Sequence, residues 1–205
     1  NFTNISDMEI KTFSEWKEYY FKVTDVVDGT QAGTKIIKLQ ADDAYSMSPS
    51  FTRPKPDMLF SLENDLTLCD QPGEWYYDKI GKYIYYYPKS GENMASVVAV
   101  APKVERLLEV KGASLSNKSK YIKFDGITFD YATWKKPSFY GFSTFQTNFL
   151  KTPATDSGDL EYVMPPNLIL DYAENISFVN NTVKHMGMAA LGLARGTKNV
   201  DIIGN

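Results

Sequence analysis

Residues 121–126, 175–180 and 199–204 align without gaps. Ile122, Ile176 and Val200 form one apolar column and Phe124, Phe178 and Ile202 a second, with Lys123, Ser177 and Asp201 between them. This alternation is the period of a strand with one buried face. Gly126, Asn180 and Gly204 close the segments, where a turn needs residues that tolerate left-handed dihedrals. Ile176 and Val200 stand 24 residues apart, a length that suits one turn of a parallel β-solenoid. Ile122 and Ile176 stand 54 apart, one such turn plus 30 residues, which predicts an insertion over residues 134–166 at one solenoid corner. Residues 168–170 predict a second strand before Ile176, and residues 189–193 a third after a corner at His185 to Gly187. Because Ile202 and Ile203 would leave an apolar end uncovered, the natural protein is expected to continue past Asn205.

Residues 1–102 follow another pattern. Ile10, Phe13, Trp16 and Tyr20 fall three and four apart after a cap at Ser6 or Asp7, which predicts a helix in competition with a strand over residues 19–27. Residues 35–40 read as a strand that follows a turn at Gly29 to Gly33 and completes a hairpin-like pair. Residues 46–56, with three prolines, read as loop. Pro72-Gly73 suits a type II turn, since proline presets the first central dihedral and glycine supplies the positive φ of the second. Strands over residues 74–77 and 83–87 then form a hairpin dense in aromatics, with Trp75 and Tyr85 to Tyr87 assigned mainly to a core. A short strand over residues 97–100 is expected before a boundary near Pro102, dividing the chain into a β-rich accessory module (1–102) and a coil-forming module (103–205).

Composition narrows the partners. With 22 basic and 25 acidic residues the net charge is -3, and no block of like charges stands out, so neither nucleic acid nor an anionic membrane is an expected partner. The lone Cys69 cannot form an internal disulfide. Neither a membrane span nor a signal peptide is read in this sequence. The 14 Tyr and 12 Phe suit half-buried sheet surfaces and sugar-facing ones alike.

Several motifs carry a family likeness. They are Glu63-Asn64, Pro72-Gly73-Glu74-Trp75-Tyr76, Tyr85-Tyr86-Tyr87-Pro88, Val104-Glu105-Arg106-Leu107 and Gly126-Ile127-Thr128-Phe129. The likeness continues through Thr133-Trp134, Pro137, Gly141-Phe142, Gln146 and Ile203-Gly204-Asn205. Through them the chain resembles bacterial proteins of the right-handed parallel β-helix, pectate-lyase-like superfamily, and in particular the large members related to β-helix glycoside hydrolases. The resemblance implies an all-β fold in which the first coils of a right-handed parallel β-helix carry an N-terminal accessory module. It also implies export to the surroundings or surface of a bacterial cell, and a polysaccharide or glycan as partner.

Glycoside hydrolysis commonly sets two carboxyl groups across the scissile bond. Asp130 and Asp171 are the candidate acid or nucleophile, with Glu174 as a further carboxylate, and each is also a natural turn residue. Trp134, Phe139, Tyr140, Phe142, Phe145 and Gln146 share the insertion. Their flat faces and the amide suit a sugar ring, or equally a small local core. His185, the single histidine, is read as hydrogen-bonding a sugar, tuning a carboxyl group or shaping a corner, and no metal or other cofactor is expected. A polysaccharide lyase ranks lower, with Arg195 as its base. The alternative from another class is a non-catalytic surface protein that binds glycan or displays the solenoid.

Overall fold

The structure is a computed structural model that describes residues 2–14, 17–40, 57–143, 149–151 and 161–205. The first strands are β1 (Glu9–Ser14), β2 (Lys17–Asp28), β3 (Lys35–Leu39), β4 (Phe60–Glu63), β5 (Trp75–Asp78) and β6 (Tyr83–Tyr86). Then come β7 (Leu108–Lys111), β8 (Ser119–Asp125), β9 (Thr128–Asp130), a one-turn helix α1 (Pro137–Tyr140), β10 (Phe142–Ser143), β11 (Phe149–Lys151) and β12 (Glu161–Val163). The last are β13 (Pro166–Asp171), β14 (Ala173–Val179), β15 (Thr182–Lys184), β16 (Ala189–Leu193) and β17 (Lys198–Ile203). The described residues are thus nearly all β, and no helix among them is long and apolar enough to cross a membrane. Two compact units divide them: Asn1–Val98 with Lys136–Val163, and Ala99–Lys135 with Met164–Asn205.

In the first unit β1 and β2 are antiparallel, Ile10 opposite Phe21 and Thr12 opposite Tyr19. The helix expected from Ile10, Phe13, Trp16 and Tyr20 is therefore corrected to a strand pair. The period of two prevails because Tyr19, Phe21 and Val23 bury one face of β2 with Met8 and Ile10. Trp16 lies outside the described residues, as do residues 46–56. β3 pairs with β2 as expected, and Gly29 N–H donates to the Thr34 carbonyl at 2.9 Å across the turn. β10, from the expected insertion, also pairs with β2, Phe142 opposite Tyr20. Asp65, 2% exposed, accepts from the backbone N–H of Thr3 and Asn4 at 2.7 Å each and so pins the start of the chain.

The β5–β6 hairpin forms with Gly73 at φ 99°, as the type II turn requires. Its aromatics are not all core, however. Tyr76 is 6% exposed while its neighbour Trp75, on the opposite face of this two-stranded sheet, is 66% exposed, and Tyr85, which pairs with Tyr76 on the same face, is still 42% exposed. The strand expected over residues 97–100 is absent too: this backbone joins no ladder, and Val97, Val98 and Val100 are exposed.

The second unit holds three parallel sheets, ordered β17–β14–β8, β16–β13–β7 and β15–β9. Ile176 lies opposite both Ile122 and Val200, and Phe178 opposite both Phe124 and Ile202, so the two apolar columns are real. Val110, Leu168, Leu170, Ala173, Ile176 and Phe178 form the core. Each large aliphatic or aromatic side chain fully buried there contributes about 1.5–3 kcal/mol. The Phe124 and Phe178 rings stack at 4.7 Å. Gly126, Asn180 and Gly204 have φ values of 69°, 54° and 66°, the left-handed backbone that the third column requires.

Candidate functional site

β9 and β15 run in register, with Asp130 opposite Lys184. The next residue of each strand, Tyr131 and His185, takes left-handed backbone, at φ 61° and 50°. Their rings therefore meet face to face, 4.8 Å apart and inclined by 8°. The same geometry brings His185 Nδ1 to 2.7 Å from Asp130 Oδ1, while Lys184 Nζ lies 3.3 Å from Oδ2. Partial burial alone would raise the Asp130 carboxyl, but hydrogen bonds from His185 and Lys184 outweigh it and hold the group below its usual range. A carboxylate only accepts, so Nδ1 carries the proton in this pair, and in the neutral ring Nε2 is left as an acceptor. The His185 side chain is 57% exposed.

The turn after β15 is held close to residue 134. A Cβ on Gly187 would stand 2.5 Å from the backbone of Thr133 and Trp134, so glycine permits that approach. Asn167, fully buried, joins three segments here: its Nδ2 donates to the Glu105 carbonyl at 2.7 Å and the Thr133 carbonyl at 3.2 Å, and its Oδ1 accepts from Met188 N–H at 3.0 Å. Trp134 is half-buried beside this junction. Tyr140 ends α1 in the other compact unit, and Gln146 and Phe145 lie outside the described residues.

Asp171 belongs to a different sheet, at the end of β13. Its carboxylate, 6% exposed, accepts from Arg195 Nη2 at 2.8 Å and Nε at 3.3 Å. Arg195 extends over the Tyr172 ring at 5.2 Å. The bond to Asp171 favours the charged guanidinium and holds it above its ordinary range. Glu174 lies opposite Lys120 and Lys198 in the ladder, with its carboxylate 3.5 and 3.2 Å from their ammonium groups and 3.7 Å from that of Lys118. Across the parallel ladders of the described residues, no acidic residue lies opposite another.

The structure thus joins Asp130 and His185, two of the residues singled out in the sequence, and adds Tyr131 and Lys184. The column offset of 54 residues that aligns Ile122 with Ile176 also aligns Asp130 with Lys184 and Tyr131 with His185, so the signal for both was present.

Residues 6–89 match the family model described as "GH141 insertion domain". The chain is also similar to a solved structure titled "Glycoside hydrolase", with 23% sequence identity, a TM-score of 0.74 and coverage of 89% of this chain and 34% of that one. It spans about a third of the length of that structure. No curated protein matches it. The chain is thus related by sequence over residues 6–89 to an insertion domain of glycoside hydrolases, and its fold is that of a solved protein so titled.

Proposed function

We propose that the chain is part of a secreted, glycan-acting protein, a glycoside hydrolase in which the parallel sheets are coils of a right-handed β-helix and the Asp130–His185 pair contacts the glycan. The observation that carries this reading is the 2.7 Å hydrogen bond between His185 and Asp130 on the outward surface of a parallel ladder. It fixes the imidazole with Nε2 available to a sugar hydroxyl, while Tyr131 buttresses the opposite ring face. The family-model match and the shared fold support the glycan as ligand.

In this reading Asp130 is ionised at neutral pH and serves as nucleophile, base or hydroxyl acceptor, since its lowered pKa makes it a poor acid. Asp171 is a positioning residue for the Arg195 guanidinium. A second reading, glycan binding without turnover, is favoured by the parallel ladders of the described residues, which set no carboxylate opposite another.

The test is an assay of the protein against a panel of plant and host polysaccharides, following reducing-end release and binding together. Release that Asp130→Asn and His185→Ala each reduce at least tenfold, with thermal melting unchanged, supports the hydrolase reading. Binding that both variants weaken, without turnover in either, supports the second. Binding and release untouched by both variants would remove this pair from the function.

A further inference from the structure

Three chain segments share one corner of the second unit: residues 111–120 between β7 and β8, 171–174 between β13 and β14, and 193–198 between β16 and β17. They hold five cations, Lys111, Lys118, Lys120, Arg195 and Lys198, against two carboxylates, Asp171 and Glu174, in a chain whose net charge is -3. The charges are layered. The carboxylate side chains are 6% and 15% exposed, whereas those of Arg195, Lys198 and Lys120 are 70%, 56% and 44% exposed. Asp171 therefore lies beneath Arg195 and Glu174 beneath Lys120 and Lys198, while Lys118, 9% exposed, meets Glu174 from within, and the layer facing solvent is positive.

The corner is also fixed. Gly112 brings the first segment against the Tyr172 carbonyl, where a Cβ would stand at 2.4 Å, and Gly196, at φ 65°, leaves room for Leu115 and the Tyr172 ring, 2.6 and 2.9 Å from its own missing Cβ. Leu115 is 68% exposed and Tyr172 half-buried, so apolar surface adjoins the cations. A bare inorganic anion has no use for that surface. A sugar ring that carries an acidic group uses both.

We infer that this corner, formed by Lys111, Lys120, Arg195 and Lys198 around Tyr172 and Leu115, is a binding surface for an anionic polysaccharide, carboxylated or sulfated. The inference rests on the reading of the chain as glycan-acting and assigns it an acidic ligand at a place distinct from the Asp130–His185 pair. Charge attracts the polymer over a Debye length, and the buried carboxylates hold the cations in place.

The 205-residue chain would be run in native gels cast with polygalacturonate, dextran sulfate or neutral dextran, and titrated with a thymidine oligonucleotide. Expected are retardation by one or both acidic glycans, identifying carboxylate or sulfate as the ligand group, little by dextran, and weakening of retention as salt rises. The triple variant K111Q/K120Q/K198Q, in which Lys118 still faces Glu174, should lose affinity on the order of tenfold. The control K35Q/K38Q, with nearly the same charge change in the other unit, should not. Equal loss in the control, or oligonucleotide binding as tight as that of the glycans, would overturn the inference. Binding to neutral glycans that the triple variant leaves intact would overturn the corner alone, and binding to no glycan of either kind would overturn the underlying reading as well.

Discussion

Asn181 and Asn205, 24 residues apart, make the same hydrogen bonds one repeat after the other. Asn181 Nδ2 donates to the Phe124 carbonyl at 3.1 Å, and Asn205 Nδ2 to the Phe178 carbonyl at 2.9 Å. Asn181 Oδ1 accepts from Ile127 N–H, and Asn205 Oδ1 from Asn181 N–H, both at 2.9 Å. Each amide thus satisfies a turn donor and a strand carbonyl in the preceding repeat. Asn181 is 3% exposed, so these groups are shielded from bulk solvent. Asn181→Ala should lower unfolding free energy by about 3 kcal/mol, because a buried donor and a buried acceptor lose their partners. Urea denaturation checks this, and Asn181→Asp should be nearly as costly because a carboxylate cannot donate to Phe124.

The strand columns of the second unit were legible because, between two stacked strands, every inward side chain must repeat at the same offset, so Ile176 with Val200 announces Phe178 with Ile202. The asparagine ladder stood one position beyond the columns compared, at Asn181 and Asn205, and was passed over. Ile10, Phe13 and Tyr20 suggested a helix because two antiparallel strands joined by a short turn can mimic spacings of three and four. The alternating burial of Tyr19, Phe21 and Val23 decided the matter. Trp75 and Tyr76 are indistinguishable in sequence, since which face of a two-stranded hairpin is covered depends on elements remote from it. Asp130 and His185 were each noticed, but their union was not, because it depends on a diagonal contact one residue past the register pair Asp130–Lys184.

The Asp130 carboxyl should titrate below the ordinary aspartate range, and His185→Ala should move it back up. Carbon-detected NMR titration of the side-chain carboxyl reads both. Because this pKa is depressed in the folded chain, the pair's contribution to stability is present above the unfolded aspartate pKa of about 3.9 and is lost as pH falls through the folded value. Wild-type and His185→Ala melting temperatures should converge toward the acid end of that window. A carboxyl that titrates identically in both proteins would show that the histidine bond does not persist in solution.

On the aromatic hairpin, neighbouring substitutions should differ sharply. Tyr76 is buried, its ring stacked on Tyr85 at 6.2 Å and its hydroxyl accepting from Asn4 Nδ2 at 3.3 Å, while Trp75 is 66% exposed. Tyr76→Ala should cost about 3 kcal/mol, as a large side chain leaves a packed site. Trp75→Ala should change stability by only about 0.5 kcal/mol, the usual range for a surface position. Tyr76→Phe removes only the hydroxyl bond and should cost about 1 kcal/mol. Chemical denaturation of the three variants ranks them, and a Trp75→Ala cost equal to that of Tyr76→Ala would mean that the exposed face is covered in solution.

Glu9 supplies a pH effect of the opposite sign. It is 8% exposed on β1, opposite Lys22 on one side and Glu63 on the other. Burial is the main cause that raises its carboxyl above the ordinary value of 4.5, assisted by Glu63 and Asp7 and only partly offset by Lys22 and Lys79. The folded chain therefore prefers the protonated acid more than the unfolded chain does. Ionisation costs stability progressively as pH rises from the unfolded pKa to the folded one, and the full cost persists above both. Glu9→Gln keeps the shape without the charge, so it should melt higher than the wild type at pH 8, with the difference shrinking toward zero near pH 4. Melting curves across that range decide the point, and a destabilised Glu9→Gln at pH 8 would show that the attraction of Lys22 and Lys79 outweighs the cost of burial.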